Sequence, residues 1–179
     1  MKTPWLAALL AVLLGTSAWS VARFNTAYAQ SSKIEMPKNS ELKDSLGSSK
    51  WNVQTYKDGE NFENYIVVNG TPIYKESLSS SLFFGRKVVT RQNNADVFLI
   101  AENSGGAACP VTYRFLTIYD DGKTKLSDSF GTCSDLAQVS VYPPDDWNKP
   151  DILEVILPDE RMKSHRYRWD NGNVMEIKK

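Results

Sequence analysis

Four dipeptides of one kind, Asp58-Gly59, Asn69-Gly70, Asp121-Gly122 and Asn171-Gly172, cut the chain beyond Lys50 into short runs rich in β-branched and aromatic residues. Asn-Gly and Asp-Gly accept the positive φ angles that tight hairpin turns demand, so a chain punctuated this way is constrained to antiparallel strands joined in sequence. The expected fold is mainly β, an antiparallel meander forming a sandwich or a small barrel. Strands are expected over residues 51–56, 65–68, 73–75, 87–91, 97–101, 112–119, 124–130, 139–142, 152–157, 167–170 and 174–178. The run from Ile152 to Leu157 is apolar except for Glu154, which marks a central strand. At most one short helix is expected, over residues 76–84, and Pro143-Pro144-Asp145-Asp146 is expected to be a loop. Tyr65-x-x-x-Asn69-Gly70 and Tyr167-x-x-x-Asn171-Gly172 share a spacing. No match extends further, so they read as two hairpins with the same turn chemistry rather than as a repeat.

Cys109 and Cys133 are the only cysteines, and they lie symmetrically about Asp120-Asp121-Gly122. A three-residue loop with Gly122 in the left-handed conformation makes the numbers of facing residues total 242. That register sets Cys109 opposite Cys133, Arg114 opposite Asp128 and Leu116 opposite Leu126; a two-residue loop would break all three matches. Facing Cα atoms about 4.5 to 5.5 Å apart can be bridged, so a disulfide is expected. A hairpin that long invites a bulge or splay near Pro110 or Gly131.

The N-terminus has the three-part pattern of a secretory signal: Lys2, an apolar run from Trp5 to Leu14, and the small-x-small site Ala27-Tyr28-Ala29, with Thr16-Ser17-Ala18 and Ser20-Val21-Ala22 as rival cleavage sites. The apolar run is half the roughly 20 residues a spanning helix needs, so residues 1–29 read as a cleaved signal, with no transmembrane span after its removal. Residues 30–50 are Ser-, Lys- and Glu-rich and read as a flexible leader, with a short helix possible after Asn39-Ser40. Residues 51–179 form the β-rich domain. The implied location is the bacterial periplasm or the extracellular space, where disulfides persist. Removing Lys2 and Arg23 from the 21 basic side chains leaves 19 against 21 acidic ones, a balance unsuited to general nucleic-acid binding.

The chain carries no P-loop, nucleophile elbow, zinc-protease motif or calcium loop. Neither a cofactor nor a metal is expected, because there is no Cys-x-x-Cys and a single histidine. That histidine, His165, sits in Lys163-Ser164-His165-Arg166, a basic context that disfavours the imidazolium a general base must become. No catalytic residue is assigned. Candidate binding residues fall in three places. Arg166 and Arg168 point to one face of a strand while Tyr167 and Trp169 point to the other, giving either a solvated sheet face or a site for an anionic envelope component. Ser104, Gly105 and Gly106 form a small-residue loop leading into Cys109, with Tyr113 close behind. It reads as a binding loop on a rigid scaffold or as an ordinary connection. Trp147 beside Asp145-Asp146 is either an exposed binding aromatic or a core tether.

Ala108-Cys109-Pro110-x-x-Tyr113-Arg114-Phe115, followed by Phe130-Gly131-Thr132-Cys133-Ser134-Asp135, resembles a pattern of small exported proteobacterial proteins of uncharacterised function, and that resemblance implies no activity. Ser104-Gly105 with Tyr113 is similar to the Ser-Gly loop that bacterial periplasmic lysozyme inhibitors insert into their target's cleft, an analogy at the level of fold. The expectation is a non-enzymatic periplasmic or secreted protein that binds an envelope protein or anionic envelope component through loops at one end of its sheet. The competing readings are an inhibitor or immunity protein of a cell-wall hydrolase, a carboxylate-based hydrolase, and a structural envelope subunit.

Overall fold

The computed structural model describes residues 34–77, 81–92, 94–103, 109–143 and 151–178. The expected signal, residues 1–29, lies outside them, as do Ser104, Gly105, Gly106, Trp147 and most of the proline loop. The described residues form strands and turns only. In chain order the strands are β1 (Glu41–Gly47), β2 (Asn52–Asp58), β3 (Glu63–Val68), β4 (Thr71–Ser77), β5 (Ser81–Gln92), β6 (Ala95–Asn103), β7 (Thr112–Tyr119), β8 (Thr124–Leu126), β9 (Gln138–Tyr142), β10 (Ile152–Pro158), β11 (Ser164–Asp170) and β12 (Asn173–Ile177). No helix among the described residues is long and apolar enough to cross a membrane.

Each four consecutive strands form one open antiparallel sheet, with orders β1-β2-β3-β4, β5-β6-β7-β8 and β12-β11-β10-β9. The meander is thus three meanders in series, sandwich-like rather than a closed barrel. β10 is interior to its sheet, as its apolar run requires. Two expectations are corrected. Residues 41–47, placed in the leader, are an edge strand paired with β2 from Glu41↔Lys57 to Gly47↔Asn52. Of the expected helix over 76–84, residues 76–77 end β4 and residues 81–84 begin β5, with Ser81 to Phe84 paired to Asn103 to Ile100, and 78–80 lie outside the described residues.

The second sheet is the middle layer. Because side chains alternate along a strand, Val97, Leu99 and Ala101 of β6 with Tyr113 and Phe115 of β7 pack toward Leu153, Val155, Leu157, Tyr167 and Trp169 of the third sheet. Their neighbours Phe98, Ile100, Leu116 and Ile118 pack toward Val53, Ile66 and Val68 of the first. Phe98, Ile100, Leu116 and Ile118 are almost wholly buried; complete burial of such a side chain contributes about 1.5–3 kcal/mol.

The turn ends of the three layers are tied together. Lys50, between β1 and β2, pairs with Asp120 in the β7–β8 turn at 2.6 Å. Tyr119 Oη donates to Asn171 O at 3.3 Å, and Lys125 Nζ donates to Asn173 at 2.7 Å.

The cysteine hairpin follows the expected register at its tip: Leu116↔Leu126, Thr117↔Lys125 and Ile118↔Thr124, with Gly122 at φ +84°. The disulfide is present, with Cα atoms 4.5 Å apart. The Arg114–Asp128 pair is not formed. Ser127 Oγ accepts the Phe115 N–H at 2.9 Å, one residue is gained, and the next bridge is Tyr113↔Phe130. β8 therefore ends at Leu126 rather than at residue 130, and Arg114 lies instead 3.8 Å from both Glu76 and Glu102. Gly131, at φ +135°, and Cys133, at φ +63°, take up the extra residue before the disulfide restores the register.

Candidate functional site

At the disulfide end of the third sheet the chain forms a groove of about 730 Å³. One wall is the segment Gly131 to Ser134 with Leu136, the other is the β10–β11 connection from Pro158 to Met162, and His165, Tyr167 and Glu176 form the base. Asp159 builds the second wall. Its Oδ1 accepts the Arg161 and Lys163 amides at 2.9 and 2.8 Å, while its own N–H donates to Lys163 O and its carbonyl accepts from Met162 N–H. This tight loop holds Met162 at φ +60°, a left-handed conformation that costs a non-glycine residue on the order of 1 kcal/mol or more. Met162 is left 73% exposed, and Leu136 on the facing wall is 54% exposed. Thr132 Oγ1 donates to Pro158 O and so joins the two walls.

Behind the first wall Tyr113 Oη donates to Ser134 O at 3.1 Å, and its ring lies in the core between the second and third sheets. Burial pushes the Tyr113 phenol up to about 12, so it stays a neutral donor at any physiological pH. Tyr113, a candidate contact by sequence, is thus a buried prop for the Cys133 segment. The disulfide fixes the same segment to Cys109, onto which Ser104 to Ala108 lead in sequence.

His165 corrects the sequence expectation directly. Its Nδ1 lies 3.1 Å from Glu176 and its Nε2 3.3 Å from Asp159. The Glu176 carboxylate first, then Asp159, raise its pKa above the ordinary histidine value, so its neighbours in space favour the imidazolium that its neighbours in sequence oppose. Asp159 is held below the usual carboxylate range by the Lys163 amide, then by the His165 ring and the Arg161 amide. With Glu160 and Glu176 it gives the groove three carboxylates against one histidine. The groove thus combines the exposed apolar side chains Leu136 and Met162 with carboxylates on its second wall and at its base.

Arg166 and Arg168 lie on the outer face of the third sheet, opposite the core face that holds Tyr167 and Trp169, as strand alternation requires. Both clamp Glu154, whose side chain is wholly buried: Arg166 through Nε at 3.0 Å and Nη2, Arg168 through Nε at 3.0 Å and Nη2 at 2.8 Å. Burial works to raise the Glu154 carboxyl; Tyr142, Arg168 and Arg166 outweigh it, and the group stays ionised below its usual range. Among the described residues no group of three or more His, Cys, Asp or Glu side chains could hold a metal ion.

Met162 and Leu136 were not singled out by sequence, although Met162 carries a signal: it is a lone apolar residue in the charged turn Asp159-Glu160-Arg161-Met162-Lys163. No protein-family model matches the chain, and no curated protein matches it.

Proposed function

We propose that the chain is a non-enzymatic binding protein of the bacterial periplasm or extracellular space. It takes a cationic polypeptide segment of an envelope protein into the groove between Cys133 and Met162. The observation that carries this reading is Met162, held in a disfavoured backbone conformation and 73% exposed across the groove from Leu136. A large apolar side chain kept in water at a backbone penalty gains its stabilisation when a partner covers it, and strained residues concentrate at such places. The carboxylates lining the groove, Asp159, Glu160 and Glu176, select positive charge in what is covered. The rigid setting of the first wall, fixed by the disulfide and by Tyr113, lowers the ordering entropy lost on binding.

The acidic groove also favours one narrower version, an inhibitor or immunity protein of a cationic cell-wall hydrolase. The test of both is capture from an envelope extract with the exported protein, set beside inhibition assays against a panel of lysozymes and amidases. Met162→Asp and Leu136→Asp are expected to abolish capture of the partner while leaving the thermal midpoint unchanged, because both side chains are already in water. Undiminished capture by the double variant rejects the groove. Absence of inhibition across the panel at micromolar concentration rejects the narrower version alone.

A further inference from the structure

The outer face of the third sheet carries a second groove, of about 710 Å³, separated from the first by the His165 and Glu176 side chains that line both. Its floor is one cross-strand rung, Gln138↔Ile156↔Arg166↔Ile177, running across all four strands. Lys163 and Ser164 at the start of β11 and Lys178 after β12 complete it. We propose that this groove is a binding site for a phosphate-type oxyanion, independent of the polypeptide groove on the other side of His165.

Arg166 is the anchor. Glu154 holds its Nε and Nη2, fixing the guanidinium plane, and Nη2 also reaches Tyr142 Oη at 3.5 Å; among the described residues these contacts use Nε and Nη2 and not Nη1. A guanidinium already fixed in orientation loses little side-chain entropy on binding an oxyanion, and its Nη1 N–H groups are charge-assisted donors. Ile156 and Ile177 flank it in the same rung, and apolar walls beside a cation strengthen its field. Lys163, Arg166 and Lys178 stand against Glu176 alone, a net +2 before any charge on His165 is counted, and the neighbouring Glu154 and Arg168 cancel. That excess matches an anion carrying about two charges, and Ser164 and Gln138 add neutral hydrogen-bonding groups. The competing account of the same residues is a polar cap on the last layer of a stack, which needs charge on the outer face but no particular affinity.

The two accounts separate in a titration of the exported protein by calorimetry. One arm uses sodium pyrophosphate, and a second uses vesicles of phosphatidylglycerol and phosphatidylcholine against vesicles of phosphatidylcholine alone. The proposal expects binding in at least one arm, weakened by salt, and weakened about fivefold or more in Lys163→Gln/Lys178→Gln at unchanged thermal midpoint. Binding of pyrophosphate assigns the site to a soluble phosphate, and binding of the charged vesicles alone assigns it to a lipid headgroup. Because Arg166→Gln risks leaving Glu154 short of a partner, the two exposed lysines carry the test. No binding in either arm, or equal binding by the lysine variant, overturns the proposal. Met162→Asp/Leu136→Asp is expected to bind the anion normally, so failure of one site is read separately from failure of the other.

Discussion

Removing the disulfide by Cys109→Ser/Cys133→Ser tests how the groove wall is held. The bridge spans a sequence separation of 24, closing a loop of about 25 residues. In the chain-entropy description, constraining a loop of that length removes unfolded-state freedom worth about 3.5 kcal/mol. The folded state has little to return against this. Tyr113↔Phe130 pairing, the Ser127 bulge and the Tyr113 Oη bond to Ser134 O all persist without the sulfurs. The expected loss is therefore close to the full figure, which for a domain of this size lowers the thermal midpoint by about 10 °C. Urea denaturation of the oxidised protein and the serine variant, followed by tryptophan fluorescence, gives both free energies by linear extrapolation. A loss below about 1 kcal/mol would refute the reasoning, since it would mean that the hairpin is already closed in the unfolded ensemble or that the bridge strains the native one.

Three further outcomes are expected. A Cβ at Gly85 would stand 2.8 Å from Tyr113 Cε1, so Gly85→Ala must displace the ring that props Ser134, lowering stability by about 1–3 kcal/mol in the same urea assay; an unchanged midpoint contradicts that packing. Asp120, paired with Arg91 and Lys50, is held down to about 2 from 3.8, chiefly by Arg91. A depressed carboxylate stabilises the fold above its unfolded value and loses that contribution as pH falls, so Asp120→Asn should reduce the slope of the stability profile between pH 4 and 2 and leave it unchanged above that window. His165 has a raised pKa, so its contacts with Glu176 and Asp159 stabilise fully below the unfolded value of 6.5 and fade as pH rises through the folded one. As the only histidine it gives a single imidazole titration by NMR; a midpoint at or below 6.5 contradicts the paired geometry.

The hairpins were legible because their turns have a local cause. Asn69-Gly70 and Asn171-Gly172 have positive φ at both residues, and Gly122 alone sets the three-residue register that brings the sulfurs together. β1 was illegible because Glu41, Leu42, Lys43 and Ser45 are exposed and the turn to β2, Ser48-Ser49-Lys50-Trp51, carries no Asn-Gly or Asp-Gly; the Asp44 bond to Phe84 N at 3.1 Å is a long-range fact. The layering had a trace in the unbroken run Val97-Phe98-Leu99-Ile100-Ala101, which a strand covered on one face does not need, but which two layers it meets depends on partners distant in sequence. His165 was misjudged for the same reason. Its charged neighbours along the chain are basic, while the side chains that fix its protonation come from a turn and from the next strand.

The most direct test places a photoreactive benzophenone side chain at Met162 in the protein and irradiates it in an envelope extract. Met175, exposed on the outer face of β12 and absent from both grooves, carries the same group as a control. A discrete cross-linked adduct to a cationic protein at 162, absent at 175 and lost when Leu136→Asp is added, is the predicted result. Equal labelling at both positions, or none at 162, contradicts the groove as the place where a partner binds.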